Sequence, residues 1–503
     1  MTANMRKYLA GLDIGTTGCK VTVYQANGDF KAKAYREYGP MPSCGPGEID
    51  PLVIRDCVFQ VLKEVAPSCQ ELTGIGITSF GETAVLLDEN DIPVMNSLLY
   101  TDSRGEKESQ RLREHFTDER IVRITGIKAS PMFTLPKLMW IKENEPKRWG
   151  QVKKILLMQD YITYLLSGQR DIAYSLAART LAFDINKLTY SPELLDFAGI
   201  DPSLFSRPIP NGAAAGFINN KLAQQLGLPF GISIIAVGHD QTAAAFGAAV
   251  LNPGDCALGM GTVECLTPMF SGLPPHAEIL HRGGFAIVPY RGEGTHVTYA
   301  FTFCGGALLK WYRDTIGKEV AFKLKEEGCN PYTYFDSLVE DRPSGLLVLP
   351  HFAGAATPYM DSQATGAILG LTLATTTEEL YRGLMEGVTY EMRLNLDQLR
   401  SAGIPVNRIT ATGGGSGSDV WLQMKADILN LPVAVSGISQ SGTIGSIIMA
   451  GLTCRLYYSQ EEAFSKFPGQ SKTYYPRPEK AAEYDKLYQQ YQKVYQAVKE
   501  IRQ

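Results

Sequence analysis

The chain has 503 residues, 48 of them basic and 52 acidic, and is 45% hydrophobic. That length exceeds one ordinary core, so two or more domains are expected, and the balanced charge excludes a global field for nucleic acid or an anionic membrane. No apolar run reaches membrane-spanning length; MTANMRK leads into a strand without a secretory h-region, and nine scattered cysteines without C-x-x-C, beside six histidines without zinc spacing, argue for a reducing cytoplasm.

Residues 8–24, YLAGLDIGTTGCKVTVY, read as an apolar run, a Gly-Thr turn and an alternating run, the pattern of a β-hairpin. Gly15 and Gly18 can take backbone angles other residues avoid. Thr16 and Thr17 set hydroxyls beside freed N–H groups, so the turn can cradle a phosphate. Asp13, on its lip, suits Mg2+, which takes one or two carboxylates plus phosphate oxygens. An ordinary hairpin would have the same pattern. A third strand is expected near residues 32–38 and a helix from Pro51 to Val65. A buried strand over 72–79 continues as a strand-turn-strand through ITSFGETAVLLD, with Ser79, Glu82 and Thr83 at the turn. Ligand groups gather at strand ends in α/β sheets; a solvated turn is the plain alternative. Asp102 and Arg104 end the next apolar run. They could hydrogen-bond a polyol or simply pair with each other.

Residues 124–144 give a turn and a helix carrying Leu138, Trp140 and Ile141. Residues 155–166 are apolar with Asp160 inside, and 173–184 read as loop and strand. A buried strand over 232–237 ends at Gly238-His239-Asp240, before an alanine-rich helix over 241–250. Asp240 suits a helix N-cap. It also suits a base that takes the proton of a substrate hydroxyl during phosphoryl transfer.

Residues 251–254, Leu-Asn-Pro-Gly, punctuate the chain, which places domains at 1–250 and 251–503. A second hairpin follows. Leu258-Gly259-Met260-Gly261-Thr262 lines up with Leu12-Asp13-Ile14-Gly15-Thr16, keeping the Gly-Thr turn and replacing the aspartate with glycine. A repeat at half the chain length suggests two similar domains. Strands are expected over 284–289, 295–302 and 345–350, and helices over 307–315 and 378–396. Residues 409–417, ITATGGGSG, read as a strand entering a glycine-rich turn, and Ser418 or Asp419 can cap the helix that follows. The turn lets a backbone lie close to a planar or anionic ligand such as adenosine. A last helix aligns Tyr484, Leu487, Tyr488, Tyr491, Val494, Tyr495 and Val498 as a core stripe or a subunit contact of a homodimer.

Together these segments resemble the FGGY family of carbohydrate kinases over nearly the whole chain. LDIGTTGCK and GMGTVE resemble its two phosphate loops, and MFTLPKLMWIKEN its N-terminal signature. GAILGLTLATTTEELYRGLMEG resembles its C-terminal signature, with Gly383 where alanine or serine is usual. TGGGSGSDVWLQMKADILNLPV resembles the adenosine loop and helix, and GHDQTAAAFG the segment of the catalytic base. The resemblance implies an α/β fold of two actin-like (ribonuclease H-like) domains with ATP in the cleft between them, and phosphoryl transfer from MgATP to a sugar or polyol. It implies Asp240 as base and Asp13 as the Mg2+ residue. Thr16, Thr17, Gly261 and Thr262 would contact phosphates, and Gly413, Gly414, Gly415 and Ser416 would line the adenosine site. Glu82, Thr83, Asp102, Arg104 and Asp240 would meet the acceptor. Ser79-Phe80-Gly81-Glu82 departs from the xylulose kinase pattern. Glu82-Thr83 resembles glycerol kinases, with Gly81 in place of arginine. His239-Asp240 with Gly261-Thr262-Val263-Glu264 resembles fuculose kinases, with Val263 in place of tryptophan. A ketose such as xylulose, or a polyol, is implied. The alternatives are an actin-fold ATPase or a non-catalytic regulatory protein without a sugar acceptor. Glu82, Asp102 and Arg104 weigh against the first, and Asp13 and Asp240 against the second.

Overall fold

The computed structural model describes residues 7–437, 440–467, 469 and 472–502. It forms two units, both discontinuous. The first combines residues up to Gly247 with 287–297 and the described part of 440–468; the second holds the rest. The first crossing therefore lies three residues from the expected one at 250, but a contiguous split does not describe the chain. Helix Ser441–Thr453 returns to the first unit and packs on strand Tyr8–Ile14. Small residues permit this. A Cβ on Gly11 would stand 2.4 Å from the Thr443 carbonyl oxygen, and one on Gly445 2.1 Å from that of Ala243.

The first unit is built on a six-stranded sheet, in the order Ala213–Phe217, Ser233–His239, Leu72–Ser79, Tyr8–Ile14, Gly18–Gln25 and Phe30–Glu37. Strand Tyr8–Ile14 pairs antiparallel with Gly18–Gln25, forming the expected hairpin, and parallel with Leu72–Ser79. Strand Ser233–His239 is also parallel to Leu72–Ser79. Three parallel strands thus end together, with Ile14 and His239 both opposite Ser79. Helix Pro51–Val65 covers the sheet with Ile54, Val58, Val61, Leu62 and Val65. Asp50 starts it by accepting from the Leu52 amide at 2.8 Å, and Pro51 fills a first-turn position that needs no donor.

Residues 72–87 form the expected strand-turn-strand, Leu72–Ser79 and Ala84–Leu87, but the two strands do not pair with each other. Strand Ala84–Leu87 pairs with Lys154–Leu157, because Leu72–Ser79 already has a partner on each side. Residues 155–166 are the end of that partner strand and most of helix Met158–Ser167, whose third residue is Asp160. Residues 173–184 end in the strand Phe183–Asp184, as expected, but hold a short helix, Tyr174–Ala177, where a loop is expected.

The second unit repeats the logic. Strand Asp255–Met260 pairs antiparallel with Glu264–Ser271 and parallel with Arg408–Thr412, where Gly259 faces Thr412. The Gly-Thr turn and the glycine-rich loop therefore leave one sheet edge. The tyrosine stripe is divided between helices Pro478–Tyr491 and Val494–Arg502. It is spent inside this unit: the hydroxyls of Tyr488 and Tyr495 donate to Asp397 and Asp361 at 2.6 and 2.9 Å, and that of Tyr491 to Glu391.

Candidate active site

The three parallel strand ends of the first unit set Asp13, Glu82 and Asp240 on one edge of the sheet. Asp240 opens helix Asp240–Gly247 directly after strand Ser233–His239. Its presentation depends on a bulge between Ala236 and Gly238. Gly238 has φ +116°, and a Cβ there would stand 2.2 Å from Ser175 Oγ, so only glycine fits. Thr78 Oγ1 donates to the Gly238 carbonyl at 2.7 Å, and the His239 amide donates to Ser175 Oγ at 3.0 Å.

The Asp240 side chain keeps 34% exposure, so it is reachable from solvent. Its pKa is nonetheless pushed up to about 7, first by burial of the carboxylate and then by the charges of Asp13 and Glu82. The amide of Gln241 also hydrogen-bonds it, the small capping share of its role. His239 Nε2 is 3.4 Å away. That imidazole is held neutral, its pKa well below the usual value through burial and then the Arg179 charge.

Glu82 is 5% exposed and has φ +63°. A non-glycine residue in this region marks local strain. Arg179 holds it, donating from Nε at 2.5 Å and also from Nη2. Thr83 is fully buried and its hydroxyl has no partner. Asp102 and Arg104 do pair with each other, through Nε and Nη2 at 2.9 and 2.8 Å, and Arg104 also reaches Glu48 at 2.8 Å. Burial pushes Asp102 up, but the Arg104 hydrogen bonds and charge outweigh it and leave Asp102 below the usual range.

The helix Thr134–Asn144 underlies this group. Thr134 Oγ1 donates to the Glu82 carbonyl at 2.6 Å, and Lys137 Nζ to the Asp102 carbonyl at 2.6 Å. Phe133 and Trp140 lie against the guanidinium groups of Arg179 and Arg104. Lys137 is 3% exposed, and burial pushes it down to about 8. Sequence reading missed Lys137 and Arg179 as site residues. The Glu82–Arg179 pair spans 97 positions and leaves no local pattern.

The first hairpin turn closes through Gly15 N–H to the Gly18 carbonyl at 2.9 Å, and Tyr38 takes the carbonyls of Gly15 and Thr17. Among the described residues no hydrogen-bond partner is placed on the hydroxyls of Thr16 and Thr17. Asp13 pairs with Lys20 at 3.0 Å. Among the described residues no group of three or more His, Cys, Asp or Glu is placed to hold a metal. One or two carboxylates are what Mg2+ needs when phosphate and water complete its shell. Asp13 supplies one such carboxylate on the lip of the turn, paired there with Lys20.

In the second unit Gly261, Thr262, Gly414 and Gly415 line one cavity of about 510 Å³. Tyr332, Asp336, Tyr381, Trp421 and the start of helix Gly306–Asp314 complete its wall. Gly413 and Ser416 do not line it. Gly413 turns the chain at φ +89°, where a Cβ would meet the Met260 carbonyl oxygen at 2.8 Å, and Ser416 Oγ closes the loop on the Gly413 carbonyl at 2.7 Å. Ser418, not Asp419, caps helix Asp419–Leu429, accepting from the Trp421 amide at 3.1 Å.

Two known domains match this arrangement. The N-terminal domain of the FGGY family of carbohydrate kinases matches residues 8–247, and its C-terminal domain residues 284–454. The chain belongs to the FGGY family of carbohydrate kinases. A xylulose kinase from Lactococcus lactis subsp. lactis (strain IL1403) is 29% identical over 501 residues, covering 98% of this chain and 97% of that protein. A gluconokinase from Bacillus licheniformis is 29% identical over 498 residues, covering 96% and 94%. The crystal structure of gluconate kinase from Lactobacillus acidophilus matches with a TM-score of 0.87 at 25% identity, covering 98% of each chain. This FGGY kinase is therefore an ATP-dependent enzyme that phosphorylates a hydroxyl of a small sugar or polyol. Among its described residues no helix is long and apolar enough to cross a membrane.

Proposed function

We propose that Asp240 is the general base of this kinase and that its acceptor is a ketose such as xylulose, or a polyol. One observation carries the assignment of the base. Glu82, Asp102 and Asp13 each pair with a cation, Arg179, Arg104 and Lys20. Among the described residues no cation is paired with Asp240, which has the neutral His239 imidazole beside it. A carboxylate without a cation, with its pKa raised toward neutrality, is suited to take a proton from a hydroxyl at neutral pH. Capping alone would give no reason for that environment.

Glu82, Thr83, Asp102 and Arg104 bind the acceptor hydroxyls. Thr16 and Thr17, with Gly261 and Thr262, contact the phosphates through neutral donors, as the absence of a basic excess requires. Gly413, Gly414, Gly415 and Ser416 form the adenosine loop: Gly414 and Gly415 touch the nucleotide, and Gly413 and Ser416 shape the turn. Asp13 holds Mg2+, which when bound offsets the phosphate charge. The enzyme acts in the cytoplasm, a reading supported by nine cysteines of which none is in a disulfide.

ADP formation across ketoses, polyols and sugar acids, measured for wild type and Asp240→Asn, tests this. A neutral ketose or polyol should give the highest kcat/KM, and Asp240→Asn should lose turnover while still binding that acceptor. A sugar acid ranking first overturns the acceptor reading alone.

A further inference from the structure

Three segments distant in sequence wall the cavity of the second unit, and one buried ion pair stands behind all three. Lys425, on helix Asp419–Leu429, donates from Nζ to Glu264 Oε2 at 2.7 Å, and both side chains are 0% exposed. Glu264 follows the turn Gly261-Thr262-Val263 and pairs across the hairpin with Met260. Its Cγ lies 2.7 Å from where a Cβ on Gly305 would stand, so the side chain backs onto the loop that opens helix Gly306–Asp314. That loop in turn holds the Gly-Thr turn: the amides of Gly305 and Ala307 donate to the Thr262 carbonyl at 3.0 Å, and that of Gly306 to the Gly261 carbonyl at 2.8 Å. At the other end, the Lys425 ammonium lies over the Trp421 ring, 4.6 Å from its centroid, a cation–π contact. Trp421 lines the cavity.

The pair is a poor device for stability. Both charges have left water, and the second carboxylate oxygen, Glu264 Oε1, has no hydrogen-bond partner. Unless the remaining lone pairs are satisfied, desolvation outweighs the attraction, and apolar residues of similar volume often serve a fold as well or better. What apolar residues do not supply is a fixed length and direction between two segments.

We infer that Glu264 and Lys425 are positioning residues that set the Gly261-Thr262 turn against Trp421 and thereby fix the affinity for ATP. The inference rests on the reading of this cavity as the nucleotide site. The pair does not line the cavity, so it acts through the turn and the indole.

The test is calorimetric titration of the full-length enzyme with MgATP in the absence of acceptor, alongside thermal midpoints. The double variant Glu264→Leu with Lys425→Met removes both charges and leaves none stranded. Its Tm should match or exceed wild type, while Kd for ATP weakens by about 10- to 100-fold, the scale of losing a partner that orients a binding group from behind. An unchanged Kd in that variant overturns the inference. Glu264→Asp gives an independent reading. It keeps both charges and shortens the link by one methylene, so Kd should weaken by about threefold or more at near-normal Tm; an unchanged Kd again overturns the role. Gly414→Trp separates the two failures, since nothing stands within 4 Å of a Cβ there and the indole can occupy the cavity. Lost ATP binding in Gly414→Trp, with normal Kd in the pair variants, overturns the pair's role alone. Normal Kd in Gly414→Trp overturns the nucleotide assignment and the pair's role with it.

Discussion

Asp240→Asn separates a base from a cap. Asparagine keeps the shape and can still accept from the start of the helix, but it cannot take a proton. Loss of a general base lowers kcat by about 10²–10⁴, with acceptor and ATP still bound. The environment of Asp240 adds two signatures. With a pKa near 7, the base form is about half populated at pH 7 and about a tenth at pH 6, so wild-type kcat/KM should rise about fivefold across that interval. Mg2+ at Asp13 would offset one of the raising charges and move this limb toward acid. Stability should move the other way. The folded pKa exceeds the ordinary value of 3.8, so the folded state holds this proton longer than the unfolded chain, and the wild type loses stability as pH rises from about 4 to about 7. Asparagine lacks that loss. The variant should therefore equal or exceed wild type in Tm at pH 8 and lose the acid limb of the rate profile. The assay is kcat, kcat/KM and Tm from pH 5.5 to 9 (pH set by the assay) for wild type, Asp240→Asn and Asp240→Ala on the best acceptor. If Asn keeps most of the wild-type kcat, Asp240 is a cap.

Asp13→Ala should shift the Mg2+ dependence of activity to higher concentration with little change in Tm, because a lip carboxylate paired at the surface contributes little to the core; an unchanged Mg2+ titration would remove Asp13 from the metal site. Glu82→Ala strands the buried Arg179 charge, so it should cost about 3–5 kcal/mol of stability and raise the acceptor KM; Glu82→Gln should keep most of the stability and still raise that KM more than the KM for ATP, which steady-state kinetics resolve. Gly413→Ala places a Cβ at φ +89° with extended ψ, a region nearly confined to glycine, costing about 1–3 kcal/mol, and presses it on the Met260 carbonyl. The KM for ATP should rise while the acceptor KM holds, and an equal rise in both would argue against a nucleotide-side loop.

Local signals carried the elements furthest. Pro51–Val65, Leu72–Ser79 and Thr295–Thr302 begin and end where their caps, periodicity and turn residues place them. Pairing is a different matter. Nothing in ITSFGETAVLLD tells that Leu72–Ser79 has partners on both sides, so its two strands were legible and the pairing of Ala84–Leu87 with Lys154–Leu157 was not. The tyrosine stripe keeps its face across residues 492–493, where one helix gives way to another, because the same side chains stay buried on both sides of the break. In the candidate site, the positions of Asp13 and Asp240 were legible because they sit at strand ends. Their partners were not: Arg179 and Lys137 lie far along the chain, and Lys425 has the sequence context of an ordinary surface lysine.

The N-terminal signature acquires a physical meaning from these contacts. Its helix touches the acceptor-side group almost entirely from beneath: a hydroxyl to the Glu82 backbone, an ammonium to the Asp102 backbone, and two rings against the guanidinium groups that pair with Glu82 and Asp102. Those carboxylates are already neutralised and oriented before any sugar arrives. If Glu82 and Asp102 bind the acceptor as proposed, an arriving hydroxyl meets fixed hydrogen-bond partners without having to compensate a bare charge, and an analogue lacking that hydroxyl leaves the partners unsatisfied. Asp240 stands outside this scheme: among the described residues no cation is paired with it, and its proton affinity stays high. Binding groups that are paired, beside a reacting group that is not, is the arrangement expected when recognition and proton transfer are assigned to different carboxylates.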